Sequence, residues 1–251
     1  MVAAMRFVRA EALVIGALLV VGWLIATFAE IVEDLNEDPG HVWDMSVLTA
    51  LRETGQPNNP LGPKWFEIAM ADLTSLGGVA TLVLISLIVS GYLLLKKRPL
   101  AALTLLTALG GGVALSQTLK MIFGRERPPM DFRAVEAVNA SFPSGHAMLS
   151  AVTFLTLGAM LAKSQTLRRE KIYVMVVAVL LTGIIGLSRI YLGVHWTTDV
   201  FAGWCIGIAW ATTCWLAVWA AERWHGRPAP RDSHSLKAKP ASAKSPAVTG
   251  E

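Results

Sequence analysis

Pro99–Leu119 reads PLAALTLLTALGGGVALSQTL, 21 residues without a charge, and the next residue is Lys120. A helix rises about 1.5 Å per residue, so such a run covers about 30 Å, the thickness of a bilayer's hydrocarbon. Five more charge-free runs share the chain with it: Ala12–Ala29, Leu73–Leu95, Ala147–Ala162, Ile172–Ser188 and Val200–Ala221. The sequence therefore predicts an all-α fold, a polytopic membrane bundle of six transmembrane helices. The fourth and fifth runs are short, and each is bounded on one side by a polar residue, His146 and Arg189. That places both residues at the edge of the hydrocarbon.

Composition agrees. Of 251 residues, 54% are hydrophobic and 16% charged, where soluble domains carry about 25% charge. Mean hydropathy is +0.52. These values exclude a disordered chain, a disulfide scaffold and a soluble globular domain. Cys205 and Cys214 lie nine residues apart in one apolar run, on opposite faces of a helix, so they cannot pair. Neither has a neighbour at zinc-ligand spacing, and both read as small apolar residues.

The net charge of +4 could indicate a nucleic-acid partner, but its placement argues for topology and against nucleic acid. Sorted by alternate segments, 15 of the 22 Lys and Arg fall on one side: Arg6 and Arg9, Lys96–Arg98, Lys163–Lys171 and the stretch after Ala221. Positive charge accumulates on the cytoplasmic side, so both termini are expected there. Arg6 and Arg9 before an apolar run, with Thr27-Phe28-Ala29 at its end, also fit a signal peptide. The 18-residue run exceeds the usual h-region of about 7–15, which favours an uncleaved anchor.

The outer segment Glu30–Asp72 is acidic and rich in turn residues. Within it Trp43, Val47, Leu48 and Leu51 recur at helical spacing. They suit a short helix, either lying on the outer interface or packed on the bundle. Residues 1–225 read as one membrane domain with a motif-bearing core at 99–221. Gly226–Glu251, rich in Pro, Ala, Ser and Lys, reads as a disordered cytoplasmic tail whose cations lie near anionic lipid.

Reactive side chains concentrate in two loops that follow odd-numbered spans, hence on the same face. The first runs from Lys120 through Arg127-Pro128 to Pro143-Ser144-Gly145-His146, the second from Ser188-Arg189 to His195 and Asp199. Lys120, Arg127 and Arg189 could hold a dianionic group. Ser144 can cap the fourth span, and Gly145 lets backbone N–H groups approach an anion. His195 and Asp199, four apart, share a helix face, so the carboxylate can hold one ring nitrogen and leave the other as a lone-pair donor. His146 could serve as the acid. Taken singly, a cation at a helix end is an interface anchor and a Ser-Gly a cap. Arg125, Glu126 and Arg133 are expected to be solvated loop charges. Gly203-x-x-x-Gly207 is a close-packing pattern.

Together the spaced residues resemble the type 2 phosphatidic acid phosphatase and vanadium haloperoxidase superfamily. Its signature is Lys-x6-Arg-Pro, Pro-Ser-Gly-His and Ser-Arg-x5-His-x3-Asp, matched here by Lys120 with Arg127-Pro128, by Pro143–His146, and by Ser188-Arg189 with His195 and Asp199. The resemblance covers roughly Pro99–Ala221 and implies a membrane lipid phosphatase. His195 would attack phosphorus and form a phosphohistidine, Asp199 would orient it, and His146 would protonate the leaving oxygen and then activate water. Lys120, Arg127, Ser144, Gly145 and Arg189 would bind the phosphate. No metal or other cofactor is implied, and no carboxylate cluster suited to Mg²⁺ accompanies the motifs.

The expected partner is a lipid phosphate or diphosphate, hydrolysed at the outer leaflet of a bacterial inner membrane. Undecaprenyl diphosphate is the first candidate, followed by phosphatidylglycerophosphate and phosphatidate. A vanadium haloperoxidase shares the motifs, but members with that activity are largely soluble. A non-catalytic lipid transporter would be expected to lack the nucleophile. Residue patterns leave the oligomeric state open.

Overall fold

The computed structural model describes residues 2–37, 42–137 and 139–225, with side chains for 11–37, 42–137 and 139–223. The expected tail, 226–251, lies outside them. Eight helices follow in order: α1 (Val2–Glu37), α2 (Val42–Ala50), α3 (Lys64–Ser75), α4 (Val79–Leu95), α5 (Pro99–Phe123), α6 (Gly145–Ser164), α7 (Arg168–Tyr191) and α8 (Thr197–His225). Between α2 and α3 a small antiparallel ribbon pairs β1 (Arg52–Glu53) with β2 (Gln56–Pro60), Arg52 opposite Pro60 and Glu53 opposite Gln56.

Five single helices are long and apolar enough to cross a membrane, and α3 with α4, bent by 51°, meets the same test as a pair, which gives six if the pair is one span. The charge-free run Leu73–Leu95 thus holds a break at Leu76–Gly78 that hydropathy does not register. Packing accounts for it. A Cβ on Gly77 would overlap the Ile185 side chain of α7 and stand 3.3 Å from the His146 ring. Only a residue without a side chain lets the junction lie against both.

Helix α6 is the centre of the bundle, with Ala147, Met148, Leu149, Ala151 and Val152 all buried. Leu149 packs with Leu82 of α4 and Leu109 of α5. Against α8 the approach is closer still. A Cβ on Gly203 would stand 2.7 Å from the Ser144 carbonyl, and one on Gly207 2.5 Å from the Met148 carbonyl. The Gly-x-x-x-Gly pattern is therefore a backbone-to-backbone contact of the small-residue kind. Helix α1 lies along α8, with Leu24 buried against Cys205 and Ala209, and its Phe28 ring stacks on Phe142 at 5.7 Å. Cys205 and Cys214 are both unpaired thiols.

Large apolar side chains such as Leu19, Trp23, Leu84, Ile88, Val176 and Leu180 face outward, the pattern of a lipid-contacting belt rather than a soluble surface. Helix α2 is packed on the bundle rather than laid along the interface: Asp44 and Leu48 are buried, and Val47 and Leu51 rest against Ala147, Ile190 and Val200. Arg52 straps the segment after α2 down, donating to the carbonyls of Tyr191 (2.9 Å) and Phe132 (2.6 Å). The opposite end is tied by Lys163–Glu222 (3.0 Å) and Arg223–Glu11 (2.6 Å) ion pairs.

The α6–α8 contact generates a paired prediction. Gly207→Ala forces those backbones apart and should cost roughly 1–3 kcal/mol. Gly110→Ala, where a Cβ would meet nothing within 4 Å, should be neutral or stabilising by about 0.5–1 kcal/mol. Thermal unfolding in detergent separates the two; equal midpoints would contradict the close packing.

Candidate active site

Asp199, completely buried in the first turn of α8, is the hub of the α5–α6 and α7–α8 loops. One carboxylate oxygen accepts from Arg125 Nη1 at 2.5 Å. The other accepts from the Ser141 hydroxyl, the Trp196 backbone N–H at 2.9 Å, and the His195 ring through Nδ1 at 3.3 Å. Its backbone carbonyl accepts from the N–H of Ser144 at 2.9 Å. These donors come from both loops, Arg125, Ser141 and Ser144 from the first and His195 and Trp196 from the second, so one residue sets the relative position of the two.

His195 sits in the turn between α7 and α8, which Gly193 opens with φ +70°, a conformation that favours glycine. With Nδ1 on Asp199, the opposite nitrogen, Nε2, lies 3.3 Å from Arg127 Nη1. Burial pushes the imidazole down to about 3, the charges of Arg189 and Arg127 add to this, and Asp199 opposes it. The ring is therefore neutral in ordinary buffers, and its outward nitrogen can keep a lone pair.

At the same end of the bundle stand the other residues singled out in the motifs. Arg127 also donates to the carbonyls of Val194 (2.7 Å) and Asn139 (2.9 Å), and burial lowers its guanidinium while Asp199 opposes the shift. Lys120, at the end of α5, donates to the Ala140 carbonyl at 2.5 Å and lies beside Gly145, whose Cβ position is 3.7 Å from Lys120 Cε. Arg189, in the last turn of α7, donates to the Thr74 hydroxyl at 3.1 Å, while its Nε is buried without a hydrogen-bond partner. His146, second residue of α6, is near enough to Lys120, Arg127, Arg189 and His195 to feel their charges. All eight residues thus lie at one end of the bundle.

Ser144 departs from its expected part. It occupies the N-cap position of α6 yet makes no side-chain cap bond, and its buried hydroxyl has no hydrogen-bond partner. The N–H groups of the first turn of α6 are consequently uncapped by any side chain, beside three cations. Free N–H groups and cations together suit an anion. An open cleft of ≈ 390 Å³ lies in the α5–α6 loop beside Arg127, lined also by Gly124, Arg125, Arg133, Asn139 and Ala140. Among the described residues no group of three or more His, Cys, Asp or Glu could hold a metal ion.

Arg125 corrects the expectation of a solvated loop charge. Only 7% of its side chain is exposed, and it pairs with both Asp199 and Asp44. A Lys, Arg or Glu in a polar loop carries no local mark of burial, and Asp44 is 81 residues away. Arg133 is half-buried, donating to the Pro128 carbonyl at 2.7 Å, whereas Glu126 is exposed as expected. Ser141 was visible in the motif loop but not its bond to Asp199.

The sequence profile of the PAP2 superfamily matches residues 101–223. Phosphatidylglycerophosphatase B of Bacillus subtilis is 32% identical over 146 residues, covering 57% of this chain and 71% of that protein. The undecaprenyl-diphosphatase of Sulfolobus acidocaldarius is 26% identical over 120 residues, 46% of this chain and 54% of that protein, so the chain spans about half of its length. The fold is similar to the crystal structure of a transmembrane PAP2-type phosphatidylglycerolphosphate phosphatase from Bacillus subtilis, with TM-score 0.74 and 24% identity over 81% of this chain and 98% of that one. LpxE of Aquifex aeolicus superposes with TM-score 0.51 and 22% identity over 62% of this chain and 88% of that one.

The buried neutral imidazole has a consequence for stability. Unfolded His195 takes up its proton near 6.5 and folded His195 only near 3, so between those values the unfolded state binds more protons. The stability it lends is complete above 6.5 and is lost as pH falls towards 3, by up to about 1.4 kcal/mol per pH unit. Unfolding midpoints from pH 7.5 to 4.5 should therefore fall less steeply in His195→Asn than in the parent; equal slopes would contradict a buried neutral ring.

Proposed function

This chain belongs to the PAP2 superfamily, it is an integral membrane phosphatase, and we propose that it hydrolyses a lipid mono- or diphosphate through a phosphohistidine on His195. The observation that carries the reading is the orientation of that ring: Nδ1 turned to a buried carboxylate, Nε2 turned to Arg127.

In the first step the Nε2 lone pair of His195 attacks phosphorus and the bond to the lipid oxygen breaks. His146, which can carry a proton once the substrate's phosphate charge offsets the cations beside it, gives that proton to the leaving oxygen. Asp199 stabilises the positive charge that grows on His195. In the second step His146 takes a proton from water, the hydroxide attacks phosphorus, and the P–N bond breaks to release inorganic phosphate. Throughout, Lys120, Arg127, Arg189, the Ser144 hydroxyl and the N–H of Gly145 hold the equatorial oxygens, whose charge rises as the pentavalent state forms. Three protein cations supply what a divalent metal would otherwise provide, so the reaction is metal-independent.

A lipid substrate follows from position. The site lies where the spans end, so a headgroup can enter while its tail stays in hydrocarbon. The protein groups read phosphate rather than tail, and two lipids compete. Undecaprenyl diphosphate shares its chemistry with the name of one relative, phosphatidylglycerophosphate with that of the other. The cation asymmetry supports an outward-facing site in a bacterial plasma membrane, both termini inside.

Phosphate release by detergent-purified protein from undecaprenyl diphosphate, phosphatidylglycerophosphate and phosphatidate, with EDTA present, tests this. Turnover is expected to persist in EDTA, to be inhibited by vanadate, and to fall about a thousandfold or more in His195→Ala. His146→Ala should lose about 10²–10⁴-fold. Activity abolished by EDTA would sink the metal-free step, and normal turnover of His195→Ala would remove the nucleophile.

A further inference from the structure

The geometry points to Asp44 and Arg125 as a positioning pair that fixes the Asp199 carboxylate, so that the outer helix α2 sets the alignment and charge of the nucleophile. This rests on the reading of His195 as nucleophile. Asp44 lies on α2, outside the residues 101–223 that the family profile matches, and is buried at 3% exposure. Its carboxylate accepts from Arg125 Nη2 at 2.7 Å, from the Thr198 N–H at 2.9 Å and from the Thr198 hydroxyl at 2.5 Å. It therefore caps the start of α8, the turn that carries Asp199.

Arg125 completes the bridge. Its Nη1 donates to Asp199 at 2.5 Å and to the Thr198 hydroxyl at 2.8 Å. The guanidinium lies 5.5 Å from the Trp196 ring centre, and the Arg125 backbone carbonyl accepts from Ser141 N–H at 2.8 Å. Both terminal nitrogens are committed to these partners, which separates Arg125 from the phosphate-facing Arg127 two residues on. A planar fork held by two carboxylates permits one orientation of Asp199. Since the other Asp199 oxygen holds His195, that orientation passes to the ring.

Charge gives the pair a signature that simple bracing lacks. Asp44, Arg125 and Asp199 together carry one net negative charge beside His195. Removing the Arg125 charge leaves two, which favours the imidazolium; removing the Asp44 charge leaves none, which disfavours it. The other charged groups facing His195 are Arg127 from the α5–α6 loop, Arg189 from α7 and His146 from α6, with Lys120 of α5 beyond His146. Those that act on His195 are unchanged in both variants and set where the acid limb lies, not which way it moves.

The test is the pH dependence of kcat for the full-length protein in mixed micelles of phosphatidylglycerophosphate, where the substrate's own titration is common to all variants. The acid limb should rise in Arg125→Gln and fall in Asp44→Asn, each by about half to one pH unit. In Arg125→Gln kcat should drop about tenfold or more with KM little changed. Arg125→Lys should return the limb to its parental position while kcat stays reduced, because the charge is kept and the fork lost. Unfolding midpoints are measured alongside; if Arg125→Gln does not fold, Asp44→Asn and Arg125→Lys decide the matter alone. Limbs that stay put, or move the same way in Arg125→Gln and Asp44→Asn, would reduce the pair to a brace for α2 and overturn the proposal. Full turnover by His195→Ala would instead strike the underlying reading, so the two failures are distinguishable.

Discussion

A single buried carboxylate organises the functional end of this bundle. Asp199 has no exposure to solvent, and an unpaired ion there would cost several kcal/mol. Its oxygens are accordingly filled by Arg125, Ser141, the Trp196 N–H and His195. Meeting that demand draws together the end of α5, the start of α6 and the turn before α8. His195 is, in this sense, part of the solvation shell of Asp199.

The membrane explains why the shell lies where it does. Hydrocarbon tolerates helices but not irregular, unsatisfied backbone, so loops with polar side chains collect at helix ends. Lys120, His146, Arg189 and Asp199 all occupy first or last turns. Close packing below holds those ends in register, above all the contact of Gly203 and Gly207 on α8 with the α6 backbone. Helix α6 therefore presents its N-terminus to a fixed set of cations.

Much of this was legible in sequence, because it rests on local pattern. Long apolar runs marked the spans, and the spacing of His195 and Asp199 marked them as partners, although His195 meets the carboxylate from the turn before α8 and not from a shared helix face. What stayed hidden depends on contacts far apart in the chain. The break at Leu76–Gly78 answers to Ile185 and His146, more than 60 residues downstream. The burial of Arg125 needs Asp44, on a helix whose docking was undecided between interface and bundle. Ser144, read as a cap, keeps its hydroxyl unpartnered, a difference of rotamer that no residue pattern encodes.

The account stands or falls on the fate of the phosphoryl group. Rapid alkaline quenching during turnover of a phosphate-labelled lipid substrate, followed by peptide mapping, locates any covalent intermediate. The account predicts acid-labile, alkali-stable label on the peptide bearing His195. Label on another residue, or full turnover with no covalent phosphate at any time, would contradict it.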